Sequence, residues 1–223
     1  MTDLANWSAR PVPDLPSVSG RFVRIEPAIF PRDAAALFPA ICGVGDNDLW
    51  TYIPIGPFAS PDELSNGMMT VGADWKIHLI LNAQTNEPLG TASYMRIREE
   101  FGSAEVGCVV FSRKLQRTPG ATEAMYLMAR YIFEDLGYRR YEWKCDNANE
   151  ASKRAAFRLG FQFEGIFRQD QIMKGRNRDT AWFSMIDSEW PAIAAAFEKW
   201  LDPGNFDRDG HQKQTLKDIR ARL

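Results

Sequence analysis

Residues 105–137 constrain this chain more than any other stretch. Glu105-Val-Gly-Cys-Val-Val-Phe111 has the composition of a strand, Ser112 to Thr118 is a polar and basic turn, and Pro119-Gly-Ala-Thr-Glu123 opens an amphipathic run. Within that run Ala124, Leu127, Met128, Tyr131, Ile132 and Leu136 follow a three-and-four spacing, and Gly137 stands where a left-handed cap is wanted. A strand, a tight turn and a helix in that order place unpaired helix N–H groups and the positive end of a helix dipole just beyond a strand. Such an end suits an anion; without one it is an ordinary helix start.

The rest of the chain alternates around this unit. Arg10-Pro-Val-Pro-Asp-Leu-Pro16 is too proline-rich for a helix and reads as an extended arm. Arg21 to Glu26 alternates as a strand, and Arg32 to Ile41 reads as a short helix introduced by Pro31. Leu49 to Phe58, aromatic and broken by proline, resembles a lining loop; its Trp50, Tyr52 and Phe58 serve either a pocket wall or the core. Ser60-Pro-Asp-Glu63 supplies a cap and a proline at the first helical position.

Lys76 to Leu81, Gly90 to Arg98 and Ala104 to Phe111 then predict three consecutive antiparallel strands. Tyr141 to Cys145 is a further strand. The helix after it carries Ala148, Ala151, Ser152, Ala155, Ala156 and Leu159 on one face, small enough to lie close to a sheet, and stops at Gly160. Phe161 to Met173 and Thr180 to Ile186 flank a polar turn at 174–179. Trp190 to Leu201 is helical; beyond it Leu216, Ile219 and Leu223 make a weak stripe that either docks or frays.

Composition narrows the function classes. With 223 residues, 45% hydrophobic and 12% aromatic, the chain can bury a substantial core as one domain with extensions. A net charge of −2 offers no general attraction to nucleic acid or an anionic membrane, and no apolar run approaches the length of a membrane span. Three widely spaced cysteines, Cys42, Cys108 and Cys145, form no metal-ligand pattern and read as reduced thiols of a cytoplasmic protein; no metal is expected. Only two histidines, His78 and His211, and no nucleophile elbow argue against a Ser-His-Asp hydrolase. Walker A and dinucleotide fingerprints are also missing.

The strand-helix-strand crossover within antiparallel strands, the turn, and the tail Asn149-Glu-Ala-Ser152 … Leu159-Gly-Phe161 together resemble the GNAT superfamily of N-acetyltransferases. The likeness lies with its branch of ribosomal-protein N-terminal alanine acetyltransferases, and it spans about 20–190. The resemblance implies an α/β (α+β) fold: a mixed, mainly antiparallel sheet of six or seven strands flanked by helices, with splayed central strands. The acetyltransferase domain would occupy 20–190, between a leader at 1–19 and a helical extension and tail at 191–223.

In that family a Gln/Arg-x-x-Gly-x-Gly/Ala turn binds the CoA pyrophosphate through backbone N–H groups. Here the turn is Gln116-Arg-Thr-Pro119-Gly-Ala121, with proline at the first glycine position and one donor fewer. Thr118 as N-cap and Pro119 at the first helical position would still leave the N–H groups of Gly120, Ala121 and Thr122 outward, with Arg113, Lys114 and Arg117 nearby. The resemblance further assigns the thioester to the strand bearing Cys108, Val109 and Phe111.

By the same likeness Glu105 is the candidate base, the other reading being a solvated or salt-bridged strand-end glutamate. Many family members carry a proton-donating tyrosine where this chain has Ala156; Ser152 can donate instead or bind a cofactor oxygen, or it is a small packing residue. Asn149 either binds the pantetheine arm or caps its helix, and Asn147 with Glu150 has capping-box spacing. The implied reaction moves an acetyl group from acetyl-CoA, a co-substrate, to a protein N-terminus or a small-molecule amine, with a homodimer as the candidate assembly. The alternative is a non-catalytic acyl-CoA-binding module, for which Pro119 and Ala156 speak.

Overall fold

A computed structural model describes residues 4–72 and 75–223, so residues 1–3 of the expected leader lie outside the described residues. The chain forms one eight-stranded sheet: β1 (Val18–Ser19), β2 (Val23–Pro27), β3 (Lys76–Asn82), β4 (Pro88–Arg98), β5 (Ser103–Phe111), β6 (Arg140–Asp146), β7 (Gln162–Met173) and β8 (Arg176–Ile186), in the order β1-β2-β3-β4-β5-β6-β8-β7. The helices are α1 (Ala34–Ile41), α2 (Pro61–Val71), α3 (Pro119–Arg130), α4 (Glu150–Leu159), α5 (Trp190–Leu201) and α6 (Leu216–Arg220). The mixed α/β architecture is the expected one. The sheet exceeds the expected six or seven strands through β1, a two-residue edge strand paired to β2 that is too short to leave a periodic signal.

Alternation divides the sheet into two faces. Val23, Ile25, Ala92, Tyr94, Ala104, Val106, Tyr141, Trp143 and Phe183 pack with α3, α4, α5 and α6 in the main core. Leu79, Leu81 and Val110 turn to the other face and pack with α1, α2 and Trp50. The arm before β1 lies on the domain: Leu15 is buried, Arg10 Nε donates to Gly137 O, and Tyr138 donates its hydroxyl to Pro11 O. The last stripe docks as well, since Leu216 and Ile219 enter the main core while Leu223 stays exposed.

Several local predictions hold. Ser60 Oγ accepts from Glu63 N at the start of α2, and Thr118 Oγ1 accepts from Ala121 N with Pro119 at the first position of α3. Other details differ. α3 passes into a π-helical turn at Tyr131–Asp135 before Gly137, at φ +66°. Asn149, not Asn147, caps α4, its Oδ1 accepting from Ser152 N at 3.0 Å, so the Asn147/Glu150 capping box does not form. The second hairpin turns at Lys174-Gly175 alone, because both take positive φ (50° and 75°) and bring Met173 opposite Arg176; strand pairing therefore absorbs 176–179.

Two features position the centre of the sheet. β5 runs parallel to β6, but the pairing lasts only from Ser103↔Arg140 to Val106↔Trp143. Beyond it β5 stays with β4, and Lys144 to Asp146 stay with β8, so a wedge opens between β5 and β6. A bulge lies just past the point of divergence: Thr91 pairs with Val110 and Ser93 with Gly107, leaving Cys108 and Val109 opposite Ala92. Cys108 takes φ +47°, an uncommon conformation for a residue with a Cβ.

The second feature is Glu123, buried in the second turn of α3. Its carboxylate accepts the backbone N–H groups of Arg21 (2.7 Å), Phe22 (2.7 Å) and Val23 (2.9 Å), tying the start of α3 to the turn before β2. A Cβ on Gly20 would come 2.4 Å from Glu123 Cδ, so the nest needs glycine there.

Glu123→Ala would leave three backbone donors without their acceptor, that of Val23 buried and those of Arg21 and Phe22 part-buried, and should lower unfolding stability by about 1–3 kcal/mol, read from the urea midpoint. Cys108→Val puts a β-branched residue at positive φ and should cost about 1–2 kcal/mol. Cys108→Gly should lose no stability from that strain, which thermal unfolding of the pair will check.

Candidate functional site

The wedge is bordered on its main-core side by the starts of α3 and α4. At the mouth, Ser112 to Thr118 winds as a turn with Arg117 at φ +62°, and Gln116 Nε2 donates to Phe111 O, fixing the turn to the end of β5. Thr118 Oγ1 satisfies Ala121 N. The helix needs no partner for the Pro119 nitrogen, and the first-turn N–H of Gly120 is not taken by this cap.

The basic residues of the turn divide. Arg113 bonds Asp46 (3.3 Å) and Asp48, and Lys114 pairs with Glu87, so both serve the surface of neighbouring loops. Among the described residues Arg117 makes no ion pair.

The start of α4 faces the apex of the wedge. Ser152 Oγ accepts from Trp143 Nε1 at 2.9 Å, and Trp143 belongs to the last β5–β6 pair. The hydroxyl proton of Ser152 is thereby left for another acceptor. Ala156 is fully buried and offers no proton. Burial pushes the Cys108 thiol up to about 12, so it stays protonated and is no nucleophile at neutral pH.

Glu105 projects to the opposite face, between Ala104 and Val106 of the main core. It is buried and ion-paired: its Oε2 lies 3.0 Å from Lys144 Nζ and 3.6 Å from Arg96 Nε. Burial raises its pKa above the usual carboxylate range, against the pull of Lys144 and Arg96 and with a push from Glu142. Of the two sequence readings of Glu105, the salt bridge is present in the structure.

From the sequence, Glu142 and Lys144 are only the positions alternating with Tyr141, Trp143 and Cys145 on a strand, and Trp182 carries no site role. Lys144 Nζ also lies 2.9 Å from Glu142 Oε2 and 3.7 Å from the ring centre of Trp182. The signal for the two charged residues is Glu142-x-Lys144, alternating with Tyr141, Trp143 and Cys145 in the middle of the strand; in a central strand such charges face inward and need partners.

On this second face the wedge is arched over. Lys174 Nζ, at the β7–β8 turn, donates to Trp50 O (2.8 Å), and the Tyr52 hydroxyl donates to Ala148 O (3.4 Å). Trp50 itself is core, edge-on to Phe58 at 5.0 Å, while Tyr52 is partly exposed. A separate open cleft beside α1 and α2, lined by Phe38, Cys42, Val44, Pro57 and Phe58, shares no residue with the wedge.

Residues 24–162 match the family model described as an acetyltransferase (GNAT) domain. A GCN5-related N-acetyltransferase from Brucella melitensis superposes with a TM-score of 0.93 at 41% identity, covering 97% of this chain and 99% of that one. A probable acetyltransferase from Chromobacterium violaceum gives 0.79 at 39% identity over 86% and 96%. An uncharacterised N-acetyltransferase of Bacillus licheniformis is 28% identical over 151 residues, 65% of this chain and 84% of its own. A ribosomal-protein alanine acetyltransferase from Vibrio fischeri shares the fold at 18% identity and a TM-score of 0.62, over 78% of this chain and 98% of that one. The chain belongs to the GNAT family of N-acetyltransferases.

Proposed function

We propose that this enzyme transfers an acetyl group from acetyl-CoA to a primary amine by direct attack of the neutral amine on the thioester. The observation that carries this reading is the wedge between β5 and β6. The pantetheine arm would lie in it and take up backbone groups that the lost strand pairing leaves free, with the pyrophosphate at the N-terminus of α3 near Gly120, Ala121, Thr122 and Arg117. The bulge removes Cys108 and Val109 from the β4 ladder, and an N–H there would polarise the carbonyl as negative charge develops on oxygen.

The amine arrives on the second face, where Glu105 receives its proton directly or through water. As the N–C bond forms and the C–S bond breaks, Ser152 relays a proton from solvent to the leaving thiolate, so CoA departs as the thiol, Ser152 ends as a hydroxyl, and the proton taken up by Glu105 returns to solvent. Cys108, held as a thiol, argues for this single-displacement route over an acyl-cysteine intermediate. An α-amine with pKa about 8 is about a tenth neutral at pH 7, whereas a lysine amine near 10.4 is below about 0.1% neutral. The acceptor classes are thus a protein N-terminus or a small-molecule amine of comparable basicity. Free Cys42, Cys108 and Cys145 suit the cytoplasm, and among the described residues no helix is long and apolar enough to cross a membrane.

Titration calorimetry with acetyl-CoA should give micromolar binding, about −8 kcal/mol. Gly120→Pro removes the second N–H of the turn and should weaken binding about tenfold or more. Gly120→Ala keeps that N–H and adds only a Cβ 3.0 Å from Val23 Cγ1, so it should bind more tightly than the proline variant. Absence of binding by the unaltered protein would refute the reading. Glu105→Gln should keep acetyl-CoA affinity and lower kcat about 100-fold or more; an unchanged pH–rate profile would remove Glu105 as the base.

A further inference from the structure

Glu105 and Glu142 stand directly opposite each other on adjacent parallel strands, and both side chains are almost wholly buried. Two like charges in that position repel, and burying each of them costs solvation. Leucine or valine would fill the same space without either penalty. What makes the pair tenable is Lys144, two residues beyond Glu142 on the same face of β6. Its Nζ sits between the two carboxylates, 3.0 Å from Glu105 Oε2 and 2.9 Å from Glu142 Oε2, with a side chain only 5% exposed. Trp182, directly across from Lys144 on β8, closes the remaining side with its ring.

The two carboxylates are not equally supplied. Glu142 also receives Arg98 (2.6 Å) from β4 and Arg140 (2.8 Å) from its own strand. Arg140 is further held by Glu164 of β7, which accepts from Ser184 Oγ of β8. Among the described residues Glu105 has only Lys144 and the more exposed Arg96, 3.6 Å away. Losing Lys144 therefore leaves Glu142 two cations and Glu105 one distant one. Lys144 also stands one residue past the last β5–β6 pair, at the apex of the wedge.

From this arrangement we infer that Lys144 is a positioning residue for the reaction: it holds Glu105 as a carboxylate at the apex of the wedge, and Glu142 tempers it by competing for the same ammonium. The inference rests on the proposed role of Glu105 for its meaning in catalysis, but not for its test. Burial drives the Glu105 carboxyl up and Lys144 opposes that rise, so the two partners of Lys144 should shift Glu105 in opposite directions when altered. Lys144→Met removes the attraction and should move the titration of Glu105 upward by about 1–3 pH units. Glu142→Gln removes a like charge and a competitor, and should move it downward.

The experiment follows the side-chain carboxyl of Glu105 by carbon-13 NMR in glutamate-labelled protein, the resonance being assigned by its loss in Glu105→Gln. It needs no acceptor. Opposite shifts in the two variants support the inference, and the acid limb of kcat should move with them. An unmoved Glu105 titration in both folded variants overturns it. Should Lys144→Met fail to fold, the near-isosteric Glu142→Gln decides alone: a downward shift supports the inference, and no shift or an upward one overturns it. Opposite NMR shifts in a protein without turnover would sustain the placement of Lys144 while refuting the acetyl-transfer reading.

Discussion

Four residue pairs of parallel strand hold β5 to β6, and everything chemical in this molecule follows from the pairing stopping there. Parallel strands are normally buried and continuous, because each unpaired N–H or C=O in the interior carries a cost of about 1–3 kcal/mol. In this sheet the pairing stops at the centre, where Gly107, Cys108 and Val109 of β5 are only half-buried. The bulge at Cys108 and Val109 turns β5 toward β4 while β6 keeps its full register with β8, so the gap lies between two strands that each remain well held on the outer side. A ligand that satisfies those backbone groups would recover free energy that the fold alone forgoes.

The gap also joins two faces that share little else. One is an apolar core in which α3 and α4 bring their N-terminal turns to the slot. The other, past the edge of the smaller core under α1 and α2, carries charges. Glu123 secures the first by tying α3 to β2, a fixed reference on the opposite side of the slot from α4. Lys144 organises the second. Neither residue lies on the turn that first draws attention in the sequence, yet the turn and the carboxylate are held in place through them.

How much of this was legible in the sequence depends on the kind of signal. Elements with strong periodicity or strong caps were readable: the α3 stripe, Thr118-Pro119, Ser60-Pro61 and Gly160 all act locally, within one turn of chain. Glu105 and Ser152 were reachable by resemblance, and the structure sets them at the apex of one wedge, on opposite faces. Features that depend on partners distant in sequence were not readable. Glu123 looks like an ordinary helix glutamate until β2 arrives about 100 residues away in sequence. The role of Lys144 exists only when β5, β6 and β8 lie side by side. The length of the second hairpin was missed because positive φ at Lys174 is a backbone choice that lysine does not announce.

The arch over the second face is built from two side-chain hydrogen bonds, Lys174 to Trp50 and Tyr52 to Ala148, which join segments 124 and 96 residues apart in sequence. Each bond is worth about 0.5–1.5 kcal/mol net, or roughly one to three times thermal energy. No apolar side chain has to leave the core for either to break. The span is therefore fastened by two polar contacts and not by the packing of the domain, so its hold can be lost while both hydrophobic cores stay intact.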